Sequence, residues 1–367
     1  MEEEFMTLGE IAKQARRNLN DNLWDYLRGG ADSEAAVKRN RLSLSSWAFR
    51  PKVLNNVTEI RTERQLLGAP MRVPVVLPPI GSVQQFEAGG GVSVAEAAAE
   101  FGTAMILSSA ALPDFETVAK TPGCSKIFQL YLIGDRAWMD DVISRTIEAG
   151  YDAFCLTVDT ALYSRRERDI HKRYIPGSGR ISLLDPREQD ANADFFAQAR
   201  MDWDTVAHVK ENFDIPLVLK GIARADDAAR AVEAGVDIIY VSNHGGRQLD
   251  HAKGCIDMLP EVVEAVDGRA PVIVDGGFLR GADVVKGLCL GATAVGTGRL
   301  LALGMAARGA PGVVRALELL ETEIKLTMGL MGIADIDDLS PDMVERALPL
   351  PGPYDVMSAF PLLAEGY

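Results

Sequence analysis

Asp237-Ile238-Ile239-Tyr240-Val241-Ser242-Asn243-His244-Gly245-Gly246-Arg247-Gln248-Leu249-Asp250 is the most informative stretch of the chain. Ile238 to Val241 form a short apolar run of the kind that becomes a buried strand. The residues after Val241 are unusual for a simple turn. Paired glycines let a backbone bend sharply or approach another group closely. A histidine moves protons near neutral pH, and an arginine offers a rigid donor fork to carboxylate or phosphate. Alone, His244-Gly245-Gly246-Arg247 also suits a plain strand-to-helix turn, so its neighbours must decide.

Seven further short apolar runs share the pattern: Val73–Leu77, Ala104–Ser108, Lys126–Tyr131, Asp152–Val158, Pro216–Lys220, Pro271–Asp275 and Thr293–Gly298. Helical spacing appears between them, as in Ser93–Glu100, Arg136–Ala149, Ala225–Ala234 and Gly281–Leu290. Strands alternating with helices pair in parallel through right-handed crossovers. An open doubly wound sheet would want G-x-G-x-x-G after its first strand, and Leu77-Pro78-Pro79-Ile80-Gly81 is not that. The sequence therefore predicts an α/β fold, a (β/α)8 TIM barrel. Polar residues collect at the strand C-termini, where barrel enzymes keep their active sites: Ser108, Gln129, Tyr131, Thr157, Asp159, Lys220, Ser242, Asp275 and Arg299.

Residues 1–50 read as a helical segment packed on the barrel, with helices over Leu8–Asn18, Asn20–Arg28 and Ser33–Leu42. The barrel is expected over 51–340, closed by a helix over Gly312–Met328. A loop over 175–201 between strands four and five reads as a mobile acidic flap. Residues 341–367 read as an extended, proline-rich tail.

A net charge of −14 argues against nucleic acid or an anionic membrane as partner. No apolar run approaches the ~18 residues of a membrane span, so no membrane anchor is expected. Cys124, Cys155, Cys255 and Cys289 are far apart, which fits neither a zinc site nor a disulfide framework and suits a reducing cytoplasm. No metal constellation is visible among the four histidines.

Barrels often hold phosphate with the loops after strands seven and eight, here Asp275-Gly276-Gly277 and Gly298-Arg299. Lys220, on an apolar strand, would pair with a carboxylate or stabilise negative charge on a ligand. Together with Asp25-Tyr26, Leu107-Ser108-Ser109, Phe128-Gln129-Leu130-Tyr131, Leu156-Thr157-Val158-Asp159 and Arg165-Arg166-Glu167, these motifs resemble the FMN-dependent L-2-hydroxy acid oxidases and dehydrogenases. That family includes glycolate oxidase, lactate oxidase, mandelate dehydrogenase and flavocytochrome b2.

The resemblance implies an FMN enzyme that converts a small anionic 2-hydroxy acid to its 2-oxo acid. His244 would be the base, Asp159 would raise its pKa, and Tyr131 would bond the substrate oxygen. Arg166, Arg247 and Tyr26 would hold the substrate carboxylate. Lys220 would stabilise reduced flavin. Pro78, Pro79, Ile80, Ser108, Gln129, Thr157 and Ser242 would line the flavin ring, and Asp275, Gly276, Gly277, Arg280, Gly298 and Arg299 its ribityl chain and phosphate. A homotetramer is also implied. Oxygen, a quinone or a protein remain open as the electron acceptor. Lactate 2-monooxygenase chemistry, a larger non-hydroxy-acid metabolite or peptide substrate, and a flavin-barrel isomerase are the alternatives.

The chain departs from the family in places. Phe278-Leu279-Arg280 keeps one of two usual arginines, and the expected consequence is weaker FMN retention. Phe86-Glu87-Ala88-Gly89-Gly90-Gly91 replaces a His-Pro-x-Gly-Glu loop. Ala110 stands where glycolate oxidase has a bulky Trp, which leaves room for a larger substrate side chain.

Overall fold

The computed structural model describes residues 5–174 and 196–366. Eight parallel strands make the central sheet: β1 (Val75–Val76), β2 (Met105–Ser108), β3 (Lys126–Leu130), β4 (Ala153–Thr157), β5 (Leu217–Ile222), β6 (Ile238–Val241), β7 (Val272–Val274) and β8 (Ala294–Gly296). Successive strands pair in order, β8 pairs with β1, and a parallel bridge from Leu77 to Met105 closes the barrel.

Strand side chains alternate between two faces, and this alternation builds the site. Val76, Ile106, Ile127, Cys155, Val218, Tyr240, Ile273 and Ala294 point inward and form one buried cluster. Leu66 and Met71, from the hairpin Arg64–Leu66/Ala69–Met71, join that cluster. The intervening Leu107, Phe128, Phe154, Leu219, Ile239 and Val274 belong to the outer core. Truncating a fully buried residue such as Ile127 to Ala costs roughly 2–5 kcal/mol. Two residues beyond the inner apolar layer come Ser108, Gln129, Thr157, Lys220, Ser242 and Asp275. One pleat thus places apolar residues in the barrel interior and polar ones at its mouth.

The N-terminal segment forms α1 (Leu8–Asn18), opened by a Thr7–Glu10 capping box, α2 (Asp21–Arg28) and α3 (Ala35–Ser45). The third helix begins and ends later than its sequence predicts. Asp250, from the loop after β6, accepts from Ser33 N (3.0 Å), Ser33 Oγ (2.6 Å) and Ala36 N (2.8 Å), so a distant carboxylate serves the helix start. Glu34 at φ 62° is left-handed and cannot belong to the helix.

After β7 comes α4 (Gly281–Cys289), and after β8 comes α5 (Gly298–Leu330). The predicted closing helix over Gly312–Met328 is only the second half of α5, which breaks at Arg308 and Gly309 (φ 63°), just before Pro311. By length and composition α5 is apolar enough to cross a membrane, yet 78% of its most apolar window is buried, as in a core helix. The tail is not simply extended. Val344–Arg346 pairs with Trp47–Phe49, and Phe360 is buried between short 3-10 turns at Val356–Ala359 and Pro361–Glu365. Most of the predicted flap, 175–195, lies outside the described residues; its end, Gln198–Arg200, is a 3-10 turn.

Candidate active site

The β6 stretch does not continue into a helix. His244, Gly245 and Gly246 all have positive φ (57°, 63° and 76°), and the Asn243 side chain closes the turn by accepting from Gly246 N at 3.0 Å. A Cβ on Gly246 would lie 2.6 Å from Val37 N, so α3 demands glycine there. The turn lifts the His244 ring into a cavity of about 790 Å³ at the barrel mouth.

Within that cavity His244 Nδ1 lies 2.9 Å from Asp159 Oδ1, and Nε2 lies 3.2 Å from the Tyr131 hydroxyl. Burial is the largest influence on His244 and pushes its pKa below the ordinary imidazole value, aided by Lys220 and Arg166. Asp159 raises the imidazole pKa, as expected, but does not outweigh burial. Burial also opposes ionisation of Asp159, but His244, Lys220 and Thr160 together hold its carboxyl below the usual range. The resting pair is therefore a neutral imidazole beside a carboxylate. Nδ1–H then donates to Asp159 Oδ1, and Nε2 keeps its lone pair. Burial raises the pKa of Tyr131, which remains a hydrogen-bond donor.

Gly221 makes room for the pair. It occupies an irregularity in the β5–β6 pairing at φ 114°, where a Cβ would lie 2.7 Å from that of Asp159. Thr160 Oγ1 donates to Asp159 Oδ1 (3.0 Å) and accepts from Gln248 Nε2 (2.9 Å). Gln198 accepts from Leu132 N (2.6 Å) and donates to Thr157 O (2.6 Å), tying the loop end to β3 and β4. Neither Thr160 nor Gln198 was singled out from sequence. Thr160 adjoins Asp159 in the chain, a usable signal; Gln198 sits in no motif.

Arg166 and Arg247 both line the cavity. Burial and then the like charge of Arg166 lower the pKa of Arg247, the signature of cations gathered for an anion. Arg247 Nη1 donates to Tyr26 O (2.6 Å) and Gly29 O (3.0 Å) at the end of α2, while Arg166 Nε is buried without a partner. The Tyr26 hydroxyl donates to Gly81 O at 3.0 Å. Pro78, Pro79, Ile80 and Ala110 line the cavity as well.

Below lies a floor of buried polar groups. Lys220 Nζ donates to Ser242 Oγ (2.9 Å) and lies 3.4 Å from Asp275 Oδ2, and Ser242 Oγ donates to Asp275 Oδ1 (2.7 Å). Burial opposes the Lys220 charge, but Asp275 and Asp159 outweigh it and raise its pKa. Gln129 is fully buried with neither amide atom paired, and the Thr157 and Thr297 hydroxyls are likewise buried and unpaired. Ser108 accepts from Ala110 N at 3.2 Å. Orphaned groups of both donor and acceptor type are expected where a ligand with a polar edge completes them, and the flavin ring of FMN has such an edge. The residues present fit that cofactor.

The phosphate end departs from expectation. Gly276 and Gly277, at φ 97° and 90°, are glycines because Cys255, Asn40 and Leu44 fill the space a Cβ would need. Gly298 lines the cavity. Arg299 does too, but it donates to Leu27 O (3.1 Å), Gly29 O (2.8 Å) and Gly245 O (2.8 Å). Burial, followed by Arg247, pushes its pKa down to about 9. Arg280 is not brought to the cavity: it pairs with Glu323 (2.6 Å) and donates to Ala359 O (2.9 Å).

Residues 15–346 match the model of the FMN-dependent dehydrogenase family. An L-lactate oxidase of Nostoc sp. is 37% identical, covering 91% of this chain and 96% of that protein. A peroxisomal (S)-2-hydroxyacid oxidase of Arabidopsis thaliana is 35% identical, covering 92% and 96%. Among solved structures, a mandelate oxidase superposes with a TM-score of 0.86 at 34% identity, covering 95% of this chain and all of the other (100%). A soluble mutant of the membrane-associated (S)-mandelate dehydrogenase from Pseudomonas putida gives 0.86 at 32%, covering 94% and 100%. The chain belongs to the FMN-dependent dehydrogenase family.

Proposed function

We propose that this enzyme oxidises an L-2-hydroxy acid to the corresponding 2-oxo acid, with His244 as the base. The supporting observation is a buried imidazole, bonded at both nitrogens, in one cavity with Arg166 and Arg247. A small anion held by the guanidinium groups brings its C2 and hydroxyl to His244 and Tyr131, lowering the entropic barrier to reaction. Asp159 stabilises the imidazolium formed when His244 takes the proton. FMN, when bound, accepts the electron pair from the substrate.

Ala110, Phe86, Leu162, Tyr163 and Ile170 give the mouth an apolar side. Leu162 and Tyr163 are 68% and 72% exposed, apolar surface that a bulky substrate side chain would cover. Lactate-like to mandelate-like acids are the favoured class. We also infer a homotetramer in the reducing cytoplasm; the four unpaired cysteines support the compartment. Sedimentation velocity of the holoenzyme measures the assembly state.

The function is tested by anaerobic bleaching of the flavin with glycolate, L-lactate and L-mandelate. The larger acids should bleach it faster than glycolate. Failure of every L-2-hydroxy acid to bleach the flavin defeats the proposal.

A further inference from the structure

The cofactor carries a phosphate, and the cations expected to receive it are missing or committed elsewhere. Position 279 is a leucine that lines the cavity and is 1% exposed. Arg280 turns away to Glu323, and Arg299 donates through Nε, Nη1 and Nη2 to backbone carbonyls. In a protein of net charge −14, a bound dianion needs local positive charge.

Helix α3 lies against the loop after β7 and brings Arg41 there. Arg41 Nη1 donates to Gly277 O (2.7 Å) and to Asp283 Oδ2 (2.6 Å). Both of its hydrogen bonds leave from Nη1, and Nε is buried without a partner. Its side chain is 12% exposed and lines the same cavity as Gly276, Gly277 and Leu279. Asp283 also accepts from Leu279 N and Arg280 N, both at 3.1 Å. One carboxylate therefore ties the guanidinium to the loop that lines the cavity and to the start of α4. A purely structural ion pair would not require a buried guanidinium Nε to stay unpaired in a side chain that lines a ligand cavity.

We propose that Arg41 is the phosphate-binding arginine for FMN in this chain, supplying from α3 the charge that Leu279 does not supply from the β7 loop. The proposal rests on the FMN assignment, and riboflavin, which lacks the phosphate, separates the two. Apoprotein is titrated with FMN and with riboflavin, following quenching of flavin fluorescence, with thermal melts as a folding control. Arg41→Met should weaken FMN roughly 10- to 100-fold, the range for one charge-assisted hydrogen bond, and leave riboflavin unchanged. Arg41→Lys should fall in between, and Leu279→Arg added to Arg41→Met should restore much of the FMN affinity. Should Arg41→Met fail to fold because Asp283 is left unpaired, Arg41→Met/Asp283→Asn serves in its place. Equal weakening of FMN and riboflavin, or no weakening of either, overturns the role of Arg41. Wild-type protein that binds neither flavin overturns the FMN assignment instead.

Discussion

The proton-transfer wall at the barrel mouth and the layer of polar groups buried at the strand ends are built in different ways. On the wall, His244 is bonded at both nitrogens, Asp159 Oδ1 is held by His244 and Thr160 while Oδ2 has no partner, and Thr160 is held by Gln248. On the floor, Gln129, Thr157 and Thr297 are buried with side-chain polar atoms unpaired. The proposed base is pre-positioned by protein groups alone, so little reorganisation is needed when substrate arrives. The floor is left for the cofactor to complete, and apoprotein bears the desolvation penalty until it does.

The strongest way to break this contrast is to remove the base. His244→Ala should bind FMN with near-normal affinity yet reduce it about 10²- to 10⁴-fold more slowly, measured by anaerobic stopped flow. Near-normal reduction by that variant would end the assignment.

Asp159→Asn sharpens the wall further, through pH. His244 must be neutral to act, so kcat/KM should fall on the acid side, with its midpoint below the ordinary imidazole value of 6.5. Asp159 raises the His244 pKa, so its removal should shift the midpoint still lower and slow flavin reduction, because the imidazolium loses its partner. A midpoint that moves upward contradicts the pairing.

The smallest effect belongs to the floor. Gln129→Leu removes an unpaired buried amide, so apoprotein should gain about 1–3 kcal/mol in thermal or urea unfolding while FMN binds more weakly. Loss of apoprotein stability would show that Gln129 is satisfied within the protein and that the floor resembles the wall after all.

The barrel and most of its site residues were legible because a strand has a period of two. Once Ile127 and Tyr240 are assigned inward, Gln129 and Ser242 must share their face. The helix boundaries near Glu34 and Arg308 were less legible. The start of α3 is served by Asp250 from another loop, and α5 breaks at a left-handed Gly309 inside an apolar pattern.

The sequence by itself determined the pleat, the strand count, the order of the motifs and the chemical character of the ring at the mouth. These depend on local periodicity and on residue types carried by single strands. Tertiary structure alone decided three matters: that burial outweighs Asp159 in setting the His244 pKa, that Arg280 leaves the cavity for Glu323, and that Arg41 enters it from α3. Each depends on desolvation or on contact between residues far apart in the chain, and neither has a signature in local spacing.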